Sequence, residues 1–333
     1  MKKTIVSVAA LLAISLGSAS AADLAAKVYK KAPPIVAFDP WDIAFGSAIM
    51  SNYVFRGITQ SNGNKGSVAA YFEPRYNITK DVQLYAGVSG ESISFPNRAS
   101  AEIDGYFGIR PTWGVAAFDF GFWYYGYPGG QCYNTQAFCG NNQSFGIGLP
   151  INGNFAKKDA SFYEGYAKVN FTINDQFSVG LNEYYSPNFL NLGAWGNYAS
   201  VTAKYTAPST YFGSTGIGMY ISGEYGRQWL GTSDAFYGTG PGTVYANGIP
   251  EPSYNTWNVG VGFTYKVFTL DLRYSDTDLS KGACNAFTSD YSTTTARASS
   301  VSLINPGGFE SSWCGATGIA KLSVDLTAAT NLK

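Results

Sequence analysis

Val68-Ala69-Ala70-Tyr71-Phe72-Glu73-Pro74-Arg75-Tyr76-Asn77-Ile78 is followed, after only Thr79-Lys80-Asp81, by Val82-Gln83-Leu84-Tyr85-Ala86-Gly87-Val88-Ser89-Gly90-Glu91. In the first run Val68, Ala70, Phe72, Tyr76 and Ile78 share one parity, and Glu73, Arg75 and Asn77 share the other. In the second, Val82, Leu84, Ala86 and Val88 oppose Gln83, Ser89 and Glu91. Period-two alternation of this kind is the signature of a strand with one apolar and one polar face, and the short polar connection makes the pair a hairpin.

The same pattern extends in both directions. It is read in Asp42–Arg56, Glu102–Trp113, Ala116–Tyr127, Ser161–Ile173, Phe177–Tyr185, Tyr198–Ala207, Ile217–Gln228, Tyr254–Val267, Thr269–Asp276 and Gly318–Ala328. No helical stripe competes with it. The count is about twelve strands, most near the ~9–11 residues that cross a bilayer at a tilt. Connections alternate between short turns, such as Gly114-Val115 and Asn174-Asp175-Gln176, and long loops, such as Pro128–Asp159, Trp229–Ser253 and Leu279–Thr317. Short turns on one side and long loops on the other are the arrangement of an up-and-down transmembrane β-barrel with periplasmic turns and extracellular loops.

Composition supports the membrane reading over a secreted β-sandwich, which would alternate too. Charged residues make up 13% of the chain, sparse for a polar face in bulk water, and aromatics make up 16%. Tyr53, Phe55, Tyr76, Trp113, Tyr124 and Trp257 fall near strand ends, where interfacial girdles are expected. The chain has no His, which excludes Ser-His-Asp and Cys-His hydrolases and imidazole-ligated metals or haem. Lys+Arg and Asp+Glu balance at 22 each, so there is no basic footprint for nucleic acid. No enzyme and no cofactor is expected.

The first residues read as an export signal: Lys2-Lys3, an apolar run over Thr4–Leu16, and the small-residue site Ala19-Ser20-Ala21. Residues 1–21 are expected to be a cleaved signal peptide, 22–41 a proline-interrupted periplasmic linker, and 42–333 the barrel.

The segment Tyr53-Val54-Phe55-Arg56-Gly57-Ile58-Thr59-Gln60-Ser61, with Tyr71-Phe72-Glu73-Pro74 and Leu84-Tyr85-Ala86-Gly87-Val88 after it, resembles the start of the TorF-family porins. The motif likeness covers residues 42–90, and the N-terminal Ala22–Ala26 with Pro33-Pro34 is similar to that of alphaproteobacterial outer-membrane proteins. The resemblance implies a porin-like barrel in the outer membrane of a Gram-negative bacterium, in contact with lipid and lipopolysaccharide.

Four cysteines in an exported chain point to disulfides, and pairing inside each long loop gives Cys132–Cys139 and Cys284–Cys314. The polar parity supplies the lumen. Its candidate pore-lining residues are the acids Glu73, Glu91, Glu102, Asp104, Asp119, Glu164, Glu224 and Asp271, and the bases Arg75, Arg110, Lys168, Lys204, Lys266, Arg273 and Lys321. Lining water, they would tune ion preference in a narrow channel for passive diffusion of small hydrophilic solutes or ions. Paired across the lumen, they would form a plug, giving a closed structural or adhesive barrel that displays disulfide-bonded loops. The solute and the oligomeric state are left open.

Overall fold

The computed structural model describes residues 40–63, 65–133, 144–145, 156–238 and 244–332 of the 333. The expected signal peptide and nearly all of the expected linker lie outside the described residues. The strands of the barrel are β1 (Trp41–Met50), β2 (Ser67–Thr79), β3 (Val82–Glu91), β4 (Glu102–Trp113), β5 (Ala116–Gly126), β6 (Phe162–Thr172), β7 (Phe177–Ser186), β8 (Gly196–Thr206), β9 (Ile217–Leu230), β10 (Tyr254–Tyr265), β11 (Phe268–Thr277) and β12 (Thr317–Thr327). They form one closed antiparallel barrel of twelve strands in sequential order. The seam joins β1 to β12, with Ala44 opposite Thr327 and Met50 opposite Lys321.

Closure follows from the solvent the outer face demands. Outward side chains are apolar and exposed all round the wall: Val68, Phe72 and Ile78 on β2, Val88 on β3, Phe107 on β4, Leu181 on β7, Val259 on β10, Leu270 and Leu272 on β11. A monomer in water does not carry a continuous belt of this kind. In hydrocarbon an unpaired strand edge has no partner for its N–H and C=O groups, so the sheet closes on itself. Trp41 and Trp113, both exposed, stand at the ends of β1 and β4 on the side of the short turns, where an indole bridges apolar and aqueous layers. Among the described residues no helix is long and apolar enough to cross a membrane; the crossings are strands.

Inside, the barrel is furnished with large aromatic side chains. Tyr85, Tyr106, Trp123, Tyr125, Tyr166, Tyr184 and Tyr198 belong to one buried cluster. Small residues on neighbouring strands make room for them. At Gly121 an added Cβ would lie 2.5 Å from the Tyr166 hydroxyl and 2.6 Å from the Phe107 carbonyl oxygen.

Two readings of the sequence need correction. The run Asp42–Arg56 is not one strand: β1 stops at Met50, and the chain turns into the barrel. Tyr53 and Phe55 therefore do not join an interfacial girdle; Tyr53 is buried and Phe55 packs against the interior aromatic cluster.

Candidate functional site

The segment after β1 forms a small hairpin, Val54–Phe55 paired with Ile58–Thr59. Its two central residues, Arg56 and Gly57, have φ of 48° and 79°. Two successive positive-φ residues fit the tight two-residue turn that matches strand twist. Glycine is needed at the second position because a Cβ there would lie 2.8 Å from Thr256 Oγ1 on β10. Arg56 is thereby presented at the tip of the hairpin, pointing into the barrel.

What receives it is built from distant strands. Arg56 Nη1 donates to Glu164 Oε1 at 2.8 Å, and Nη2 donates to Glu164 Oε2 at 2.7 Å. Nη1 also donates to Gln228 Oε1 at 2.9 Å. The guanidinium carbon lies 4.5 Å from the Phe55 ring centroid, 4.9 Å from that of Tyr184 and 4.5 Å from that of Tyr198. Glu164 and Gln228 are both 0% exposed. Burial by itself would lower the Arg56 pKa, but the Glu164 carboxylate offsets this and holds the guanidinium above its ordinary value. A two-pronged charge-assisted contact of this type is strong and directional.

The outer loops secure the hairpin from above. Thr59 N donates to the Trp313 carbonyl at 2.8 Å, and Trp313 Nε1 donates to Asn62 Oδ1 at 2.7 Å. Trp313 neighbours Cys314, which is bonded to Cys284. Cys284 lies in a short helix, α1 (Lys281–Thr288), whose Phe287 stacks with Phe189 at 6.4 Å between centroids. Tyr53 donates its hydroxyl to Glu102 Oε1 at 2.7 Å. The first and last long loops thus meet inside the mouth. The Cys284–Cys314 bridge is as read from sequence. Cys132 is buried, while Cys139 lies outside the described residues.

Below the hairpin, interior charges pair with one another. Arg110 donates to both Glu73 oxygens, at 2.8 and 3.2 Å, and to Asp119 at 3.4 Å, with its guanidinium 3.6 Å from the Tyr85 centroid. Arg75 donates to Glu73 at 2.6 Å. On the far wall Arg273 binds both oxygens of Asp271 at 3.0 Å and donates to Ser222 at 2.8 Å. Tyr198 donates to Glu224 at 3.0 Å. Lys168 is held 4.4 Å from the Tyr166 ring and Lys204 is 4.6 Å from the Tyr220 ring. Lys321 faces Asp271 across the β11–β12 register.

All the acids and bases assigned to the lumen from the sequence face inward except Lys266, which sits exposed in the β10–β11 turn with φ 55°. Strand parity does not persist through a turn, which is why it misplaced that residue. The interior divides into two zones. On the loop side, Glu91, Glu102, Asp104 and Glu164 are buried. On the turn side, Arg75 and Arg273 keep 21% and 23% side-chain exposure, so water reaches them. Arg56 stood out in the sequence as part of the porin-like motif, with nothing to mark its role. Gln228 and the ring of tyrosines carried no signal beyond being polar or aromatic.

A family of bacterial proteins of unknown function (Gcw_chp) matches residues 36–151, a stretch that contains the inserted hairpin. The porin resemblance rests on the motif of residues 42–90, which includes the hairpin. No curated protein matches the chain. Among solved structures, the chain is similar to the COG4313 outer membrane channel from Pseudomonas putida F1, at 9% identity and a TM-score of 0.43 over 89% of this chain and 100% of that one. It is also similar to a Pseudomonas aeruginosa FadL homologue (12% identity, TM-score 0.38, 86% of this chain and 89% of that one). LpxR from Salmonella typhimurium is similar at 8% identity and TM-score 0.38, over 85% of this chain and 99% of that one.

Proposed function

We infer that the chain is an outer-membrane channel, exported through a cleaved signal peptide, whose lumen is held shut by its own first loop and passes small hydrophilic solutes or ions when that loop withdraws. The observation that carries the reading is the manner of closure. The seal is a hairpin between β1 and β2, tethered at both ends, latched inside the barrel by Arg56 on Glu164 and Gln228 and tied to the last long loop by Thr59 on Trp313. None of these contacts belongs to the strand pairing of the barrel, so the segment can leave without breaking the wall. The partly exposed Arg75 and Arg273 on the turn side supply a polar vestibule open to water. The apolar outer belt and the closed sheet support the outer-membrane setting. The TorF-like motif of residues 42–90, of which the hairpin is one part, supports a porin assignment.

A second reading is favoured by one feature. The tyrosines and Trp123 beneath the hairpin are buried without its help being obvious, as with the Tyr106–Trp123 stack at 4.0 Å. If they stay packed, the barrel is a closed support for the disulfide-bonded loop. Planar-bilayer recording of the folded protein separates the two. Infrequent openings of defined conductance support the channel; folded protein that never conducts, with or without the hairpin in place, supports the display barrel.

A further inference from the structure

Glu91 ends β3 and Glu102 begins β4, and the register sets them directly opposite; Ser89 stands opposite Asp104 on the same face. The three carboxylates are buried at 4%, 2% and 4% exposure. Each brings one oxygen to within 4.8 Å of the others. Like charges facing each other across a strand pair oppose the pairing, and buried charge needs compensation. The hydrogen bonds present do not supply enough. Glu102 accepts from Tyr53 at 2.7 Å and from Tyr127 at 3.3 Å, and Asp104 Oδ2 accepts from Ser89 Oγ at 3.0 Å. Among the described residues no Lys or Arg is paired with any of the three.

A separate observation points at what is missing. Glu91 Oε2 and Asp104 Oδ1 are buried acceptors that make no well-formed hydrogen bond, the Trp123 indole being the donor turned toward Asp104. Native interiors leave few such atoms, and each calls for a water, a proton or an ion. A cavity of about 30 Å³, room for a single small occupant, borders Glu91 and Ser89, with Lys321 and Asp325 on its other walls; Glu102 and Asp104 do not line it.

We propose that Glu91, Glu102 and Asp104 bind one calcium ion between β3 and β4. The donors are all hard oxygens, which suit calcium or magnesium rather than softer transition metals. Two ligands of one calcium at about 2.4 Å lie at most about 4.8 Å apart, and the three oxygens fall within that limit of one another, so small side-chain adjustments bring all three onto one ion. The ion converts a charge of −3 into −1 and supplies the partner that the orphaned oxygens lack. Because Tyr53 of the first loop and Tyr127 of the third both donate to Glu102, the ion also braces two loops from below. The site is independent of whether the barrel conducts.

The test uses the full barrel refolded in detergent without lipopolysaccharide and stripped with EDTA. Terbium, sensitised by the nearby Trp123 indole, reports binding, and calcium is added to displace it. The expected result is one saturable ion per chain and a melting temperature raised by calcium. Glu91→Gln is expected to weaken binding at least tenfold while the EDTA-treated barrel stays folded, since one of three like charges is gone. If Glu91→Gln does not fold, Glu91→Asp keeps the charge with a shorter reach, and folding with weakened binding supports the site. The proposal is overturned if the wild-type barrel shows no saturable binding, or if Glu91→Gln and Asp104→Asn bind as tightly as wild type. It is equally overturned if neutralising any one of the three stabilises the barrel and calcium has no effect, because protons shared among the carboxyls then do the work.

Discussion

Replacing Arg56 with Ala removes one partner of an ion pair whose other member, Glu164, is wholly buried. Breaking a buried pair by deleting one partner typically costs about 3–5 kcal/mol, because the remaining charge is stranded. The penalty here falls on one local state. With the hairpin inserted, Glu164 of Arg56→Ala keeps only the Tyr125 hydroxyl, at 3.2 Å, of the partners described for it. With the hairpin withdrawn, water can reach the carboxylate. At 1.4 kcal/mol per tenfold, a shift of about 3 kcal/mol multiplies the withdrawn population roughly 100-fold. Single-channel recording should therefore show a large rise in open probability at unchanged unit conductance. Circular dichroism and heat-modifiable electrophoretic mobility should still report a folded barrel, since no strand pairing is touched. Glu164→Gln should act in the same direction. The double variant Arg56→Ala/Glu164→Gln should show less than the sum of the two effects, the mark of residues that act on each other. If Arg56→Ala is folded and as silent as wild type, Arg56 is not the latch; silence after deletion of residues 54–59 as well would move the seal to the tyrosine layer.

In the unlatched background, Arg75→Glu and Arg273→Glu should move the reversal potential toward cation preference, as measured in a salt gradient; an unchanged potential removes these residues from the ion path. Reducing Cys284–Cys314, which closes a stretch with a sequence separation of 30, should cost about 3–4 kcal/mol in the chain-entropy picture and should raise the protease sensitivity of residues 285–313. Leu270→Arg places a charge on the outward face of β11 and should lower unfolding stability by about 2–4 kcal/mol in bilayers; an equal loss from Leu270→Ala would argue against lipid contact there. Gly121→Ala should lower the melting temperature, because a Cβ 2.5 Å from the Tyr166 hydroxyl forces the ring to move.

The strands were legible because a wall with lipid on one side repeats its demand every second residue. Val68 to Ile78 and Val82 to Val88 carry that demand openly, and the structure pairs them as β2 and β3. The hairpin was not legible for the same reason. Tyr53 and Phe55 continue the parity of Ile43, Phe45 and Ile49, so the pattern runs on past Met50, where the strand ends. Nothing local marks the bend except Gly57. The groups that hold Arg56 lie 108 and 172 residues away, and no single stretch of sequence holds both sides of that contact. The interior tyrosines show the limit of parity more generally. A phenol satisfies a polar lumen through its hydroxyl and fills it through its ring, so composition alone does not say whether the space is water or packed side chain. The carboxylates Glu91, Glu102 and Asp104 were placed inside by parity, but their convergence needed the β3–β4 register.

The seam between β1 and β12 bears on how the molecule is made. Every other neighbouring pair in the wall is consecutive along the chain, whereas this one joins the first strand to the last. Arg56 lies in the hairpin that follows β1, yet its acceptors stand on β6 and β9, and the tryptophan bonded to Thr59 of that hairpin precedes β12. The guest is therefore synthesised before its room exists. Because β12 is the last wall to arrive, the hairpin has an open side through which to settle until the seam shuts.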